Sequence, residues 1–354
     1  MKESIMELRK EKKLDAILLS DGCNMRYHSG FCGATGYLYL SEKHRILMTD
    51  SRYTTQAREE APDFEVVEIN SNQGYGDVIS GLMEKDRVQR IGFEDTQLVY
   101  ADFVRIRDKC PQADWVGLGE SVNHLRCIKT SKELERIAKA EQIGDLAFQR
   151  ILDDIRPGVT ELSLAAKLDY YMRELGAEGN SFDTIVASGL HSAMPHAIPS
   201  AKKLEMGDFV TMDFGCRYQG YCSDMTRTVV VGRADEKQKD IYRIVLEAQM
   251  AALAVLRAGR TGREVDAVAR GIIEQAGYGD CFGHGLGHSV GLFIHEEPRL
   301  SPKCEDVLRE NVTMTVEPGI YVPGFGGVRI EDLVVITENG CKNLTGSPKQ
   351  LIEL

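Results

Sequence analysis

FVTMDFGCRYQGYCSDMTRTVVV, residues 209–231, is the stretch on which the reading of this chain turns. Two β-rich runs flank residues 215–220, so the stretch reads as an antiparallel hairpin. A midpoint between Tyr218 and Gln219 sets Asp213 opposite Asp224. Directly opposed side chains lie about 4.5–5.5 Å apart at Cβ, and two like charges at that spacing repel unless a cation sits between them. The pattern recurs in TMTVEPGIYVPGFGGVRIEDLVVI, residues 313–336. There Pro323-Gly324-Phe325-Gly326 turns a second hairpin centred on Gly324, and Glu317 faces Glu331.

Each hairpin therefore pairs two acids within strands that are otherwise apolar. A lone buried carboxylate neutralises rather than stays charged. Four of them need compensating positive charge, and no matching cluster of Lys or Arg lies in these strands. Two divalent cations would balance them. Between the hairpins lie Gly283-His284-Gly285-Leu286-Gly287-His288 and His295-Glu296-Glu297-Pro298. The glycines let the backbone approach closely and leave the imidazoles free to point into a site. One imidazole with four carboxylates suits a borderline-to-hard ion such as Mn²⁺, Co²⁺ or Zn²⁺. Taken singly, an Asp at a strand end is ordinarily a turn or cap residue, and a His ordinarily a hydrogen-bonding one. The joint pattern is what points to metal.

Outward from the hairpins the sequence repeats itself. Arg156-Pro157-Gly158-Val159-Thr160 resembles Arg257-Ala258-Gly259-Arg260-Thr261. Each follows a long helical stretch and opens a shorter one, which ends at Gly176 or Gly277. His196-x-x-Pro199 is echoed by His295-x-x-Pro298, and Val210-Thr211-Met212 by Val312-Thr313-Met314. Two related αα-ββ halves are predicted, with a site where they meet. Upstream, Thr130-Ser131-Lys132-Glu133 is a capping box that opens a long helix. A boundary near residues 123–129 separates domains at 1–125 and 126–354. The first alternates helix and strand: a charged helix over 3–13, then strands at 16–20, 37–39, 46–49, 66–69 and 90–93. The fold class is α/β (α+β).

The 354 residues carry a formal net charge of -11, which argues against nucleic acid or an anionic membrane as partner. The start MKESIMELRKEKK has no apolar core behind its charges and does not read as a signal peptide. The longest apolar run, near 251–256, is far too short to span a bilayer. None of the nine cysteines forms CxxC, so reduced structural thiols and a cytoplasmic location are expected.

The motifs MDFG, SDMTRT, GHGLGH, HEEP, VEPG and VRIED resemble the pita-bread metallopeptidases, which include methionine aminopeptidase, aminopeptidase P and prolidase. The N-terminal part, for instance Thr49-Asp50-Ser51-Arg52-Tyr53, resembles the smaller creatinase-type domain of the proline-specific branch. The resemblance implies a pita-bread catalytic domain with an internal pseudo-two-fold repeat. It implies that Asp213, Asp224, His288, Glu317 and Glu331 are metal ligands, with Asp224 and Glu331 bridging two ions. Asp213 would complete one ion, and His288 with Glu317 the other. His288 is preferred to His284 because it stands seven residues before His295, as the family's two histidines do. His284 then falls beside the substrate or just behind the ligands.

The implied chemistry is metal-assisted hydrolysis of the bond before a proline, with Mn²⁺ placed ahead of Co²⁺ and Zn²⁺. Glu317 would shuttle the proton to the leaving nitrogen, and His196 and His295 would donate to the substrate carbonyl or the tetrahedral intermediate. Arg299 and Arg329 would bind substrate carboxylate or orient ligands, unless they form ordinary salt bridges. Tyr221 reads as a strand-packing residue, with a place beside the metals as the alternative. Aminopeptidase P, acting on longer peptides, is placed ahead of prolidase, acting on dipeptides. A metal-free creatinase-like hydrolase and a non-catalytic binding protein both predict broken ligand positions, and all five are present. A homodimer is the family-based expectation.

Overall fold

The computed structural model describes residues 4–354, which fall into two compact units that divide between Arg126 and Cys127. In the first unit the run Ala16–Leu19 has no polar alternation because it is buried on both faces. Ile17 and Leu19 pack with Leu8, Met25 and Leu38 on one side, while Ala16 and Leu18 pack with Met48, Ile79 and Ile91 on the other. This strand lies inside a six-stranded sheet, ordered Glu65–Ile69, Arg45–Asp50, Tyr37–Ser41, Ala16–Leu19, Arg90–Phe93, Asp114–Gly117. The last of these was not anticipated. It is a short, half-exposed edge strand with Asp and Gly at its ends, so it carries neither alternation nor an apolar run. The first helix spans Ile5–Glu11, capped by Ser4; Glu3, where its sequence reading began, lies outside the described residues.

The second unit opens as its capping box dictates. Thr130 N donates to Glu133 Oε2 at 2.8 Å, Glu133 N donates to Thr130 Oγ1 at 3.4 Å, and the helix Ser131–Ile151 follows. The repeat is structural. Thr160 and Thr261 cap the helices Glu161–Glu174 and Gly262–Gln275, 14 residues each. Gly176 and Gly277 follow them at φ +103° and +85°, a conformation that glycine adopts without a Cβ clash. Each half has its own core: Phe148, Leu164, Val186 and Met212 belong to the first, Val245, Val265, Ile273 and Met314 to the second.

The two ribbons differ in how well their register was anticipated. In the first, Phe209–Phe214 pairs with Met225–Val230, and Cys216–Tyr218 pairs with Tyr221–Cys222 beyond it. The turn is Gln219-Gly220, with φ of +47° and +82°. Two left-handed residues make the tight turn whose twist matches the strands, but glutamine there gives no signal in sequence. The midpoint therefore lies one residue later than predicted, and Asp213 faces Thr226, not Asp224. In the second ribbon the pairs Val316↔Asp332 and Gly319↔Arg329 centre on Gly324, as predicted. Glu317 and Glu331 occupy the interruption between those two ladders. Among the described residues no helix is long and apolar enough to cross a membrane.

Candidate metal centre

Asp224, Glu317 and Glu331 sit where a ladder stops, and Asp213 sits one residue inside the end of its own. Asp213 lies near the end of Phe209–Phe214, and Asp224 immediately precedes Met225–Val230. The ribbons touch directly: Glu331 N donates to Thr226 O at 3.1 Å, and Thr226 Oγ1 donates to Glu331 Oε2 at 2.7 Å. One carboxylate oxygen from each of Asp213, Asp224 and Glu331 lies within 4.8 Å of the others.

His288 approaches from the strand Gly287–Ser289. Its backbone N donates to Thr315 Oγ1 at 3.0 Å, and that hydroxyl donates to Glu317 Oε1 at 3.0 Å. Its Nδ1 faces Ser289 O at 3.1 Å. A carbonyl only accepts, so the proton belongs on Nδ1 and Nε2 presents a lone pair. Burial pushes this imidazole down to about 3, which keeps it neutral. Nε2 stands 3.5 Å from Asp224 Oδ2 and 3.4 Å from Glu317 Oε1. The Nε2 lone pair thus points at two carboxyl oxygens.

The carboxylates are equally unsatisfied. Burial, then the charges of Glu331, Asp213 and Glu317, push Asp224 well above the ordinary aspartate range. Burial, then Glu317 and Asp213, do the same to Glu331. Burial lifts Glu317 to about 7 against the pull of Arg329. Asp213 Oδ1 and Glu331 Oε1 are buried without a hydrogen-bond partner. Unpartnered carboxyl oxygens crowded together with an imidazole lone pair are donors for cations, so these residues fit divalent metal ions.

Arg329, expected at substrate carboxylate or at ligands, turns to Asp213 and to polar groups beside the acids. Its Nη2 donates to Asp213 Oδ2 at 2.7 Å, Nη1 to Tyr321 Oη at 2.8 Å, and Nε to Thr226 Oγ1 at 3.0 Å. A cavity of about 370 Å³ opens over the acids, and Phe182, His196, His284, Ile294, His295 and Arg299 are among its walls. The His295 ring meets the His288 ring edge-on at 4.6 Å. His284 turns its Nε2 to Tyr321 Oη at 2.9 Å. Arg299 is partly exposed, with Nε 3.1 Å from Glu297 Oε1.

Residues 135–338 match the model of metallopeptidase family M24, and residues 3–128 match the creatinase/prolidase N-terminal domain. The chain belongs to metallopeptidase family M24. It is 40% identical to the Xaa-Pro dipeptidase of Pyrococcus horikoshii over 99% of this chain and 98% of that protein. A solved Xaa-Pro dipeptidase from Bacillus anthracis has a TM-score of 0.95 and 44% identity, with 98% of each chain covered. A solved X-Pro aminopeptidase from Thermotoga maritima has a TM-score of 0.91 and 41% identity, covering 98% of this chain and 100% of that one. The pita-bread architecture with a creatinase-type domain ahead of it is thus the fold of this M24 peptidase.

Several residues of the M24 site escaped the sequence reading. Thr226, Thr315 and Tyr321 bond its acids or Arg329 directly. A signal existed for one: Thr211 and Asp213 share a face with Thr226 and Thr228, polar at every second position of strands otherwise apolar. Tyr321 gave none, because its partners are 37 and 8 residues away. Tyr221 is not at the site; its hydroxyl donates to Glu133 Oε1 at 3.1 Å, beside the guanidinium of Arg136.

Proposed function

We propose that this M24 peptidase hydrolyses the bond between an N-terminal residue and a following proline, with dipeptides as its substrates. The observation that carries the proposal is the cavity floored by Asp213, Asp224, His288, Glu317 and Glu331 and walled by the cation Arg299. The sequence reading ranked aminopeptidase P first. Whole-chain similarity to Xaa-Pro dipeptidases from two organisms supports placing the dipeptidase first instead. The Thermotoga maritima relative keeps Xaa-Pro aminopeptidase as the second reading.

Asp213, Asp224, His288, Glu317 and Glu331 would hold two divalent ions, with Asp224 and Glu331 shared. Bound there, such ions supply Lewis acidity, making a nucleophile from water near neutral pH and polarising the scissile carbonyl. Glu317, anchored by Thr315, carries the proton to the leaving imino nitrogen. His295 and His196 donate to the oxygen on which charge develops. Arg329 holds Asp213 in place through a charge-assisted bond. The oxygen-rich donor set favours Mn²⁺ over Co²⁺ and Zn²⁺. A cytoplasmic homodimer completes the proposal, and light scattering would test the dimer.

Arg299 is the cation for the dipeptide's carboxylate. Its present partner, Glu297, is one that a substrate carboxylate can displace at a half-exposed site. Arg299→Ala is expected to raise KM for Xaa-Pro dipeptides about 10- to 100-fold, the worth of one charge-assisted bond, with little change in kcat. An unchanged KM would remove Arg299 from the substrate site. The decisive assay gives the Mn²⁺-loaded enzyme Xaa-Pro dipeptides and Xaa-Pro tripeptides side by side. Cleavage of dipeptides alone supports the first reading, efficient cleavage of tripeptides establishes the second, and no cleavage of either sinks both.

A further inference from the structure

The wall that carries His196 is held by a carboxylate outside the metal centre. Glu161 opens the helix Glu161–Glu174 and is wholly buried. Its Oε1 accepts from Ser188 N at 2.7 Å and Ser188 Oγ at 2.8 Å. Its Oε2 accepts from Ser200 N at 3.1 Å and Ser200 Oγ at 2.7 Å. His191 Nδ1 lies 3.2 Å from both oxygens. One side chain thus receives both ends and an interior residue of the segment 188–200. Burial pushes this carboxyl up, but the bonds from Ser200, Ser188 and His191 outweigh it and hold the group below the usual carboxylate range. A permanent anion at a helix N-terminus is also favoured by the helix dipole.

The same segment is stitched to the metal-bearing ribbon. Gly327 N donates to Ser192 Oγ at 2.8 Å, and Arg329 Nη1 donates to Pro195 O at 3.4 Å. His196 follows Pro195 directly and lines the cavity, with no bond of its own to fix it among the described residues. Its placement therefore depends on the segment's anchors. The second half of the repeat carries a parallel device. Asp266, buried on the matching helix, accepts Leu286 N at 3.0 Å and pairs with Arg270, whose Nη2 donates to His284 O at 2.8 Å. In each half, a buried acid on the shorter helix secures the loop that brings a histidine to the cavity.

We infer that Glu161 is a positioning residue that sets His196 for catalysis by tying down both ends of the 188–200 segment. The inference rests on the proposed role of His196 as a donor to the reacting carbonyl. Glutamine keeps the shape but replaces one acceptor with a donor, so the five donors around it cannot all be paired. Glu161→Gln is expected to lower kcat roughly 10- to 100-fold through misplacement, with KM nearly unchanged and metal content intact. Expected too is that Glu161→Gln causes no further loss in a His196→Ala background, because the group it positions is gone. A merely structural role predicts losses that multiply, and that outcome, or wild-type kcat in Glu161→Gln, overturns the inference. Full activity in His196→Ala alone instead overturns the role of His196. Should Glu161→Gln not fold, Ser200→Ala removes one anchor and is read against His196→Ala in the same way.

Discussion

Asp224→Asn is expected to abolish Xaa-Pro hydrolysis, with kcat/KM down by more than roughly 10³-fold, since even partners outside the ligand set commonly cost 10–100-fold. The side chain lies within reach of Asp213, Glu331 and His288, so both proposed ions depend on it. A second readout needs no substrate. In the metal-free protein Asp224 is crowded by Glu331, Asp213 and Glu317, and burial makes that crowding costly. Removing one carboxyl relieves it, so metal-free Asp224→Asn should melt at or above the temperature of metal-free wild type. Mn²⁺ should then raise the Tm of wild type and raise that of the variant far less, because the stabilisation follows binding to the native state. Equal gains in Tm, with two ions retained per chain, would show that Asp224 is not a bridging ligand.

Local chemistry made the framework legible. Thr130, Thr160 and Thr261 announce their helices because a cap bonds within three residues of itself, and the repeat shows because both halves use the same cap and the same terminal glycines. The acidic ribbons are legible for a similar reason: a charged residue in an apolar strand is conspicuous whatever its partner. Register was harder. Gly324 marks its turn, whereas Gln219 takes a left-handed conformation that its identity does not disclose. What could not be read is the polar scaffold across the sheets. Arg329 meets Asp213 across 116 residues, and Thr345 Oγ1 meets the buried Glu141 carboxylate, which in turn accepts Asp224 N. Such pairs leave no spacing to recognise. Each partner, seen alone, passes for an ordinary surface residue until packing removes the water from around it.

The same reasoning singles out Asp332→Ala as the substitution most damaging to the fold. Arg227 is buried beneath the ribbons, and its whole guanidinium is spoken for. Nε donates to Pro348 O at 3.0 Å and Nη2 to Ser347 O at 2.7 Å; Nη1 bonds Thr226 O and Glu331 O. Its charge is answered by Asp332 Oδ1 at 2.8 Å, with both side chains essentially inaccessible to water. The other oxygen of Asp332 accepts from Gln249, Asn343 and Lys349. Burial pushes Asp332 up, but the charges of Arg227 and Lys349 prevail and keep it ionised. Alanine would leave a buried guanidinium with carbonyls for company and no counter-charge. Removing one partner of a buried pair costs about 3–5 kcal/mol, chiefly because the surviving charge is stranded. Urea unfolding of metal-free protein should show a loss of that size in the unit carrying the metal site. Arg227→Met is expected to cost less than Asp332→Ala, since it leaves Asp332 with Lys349 to answer its charge. Equal losses would mean that packing, not charge, holds the two strands together. A loss under about 1 kcal/mol would place the pair among those worth no more than an exposed one.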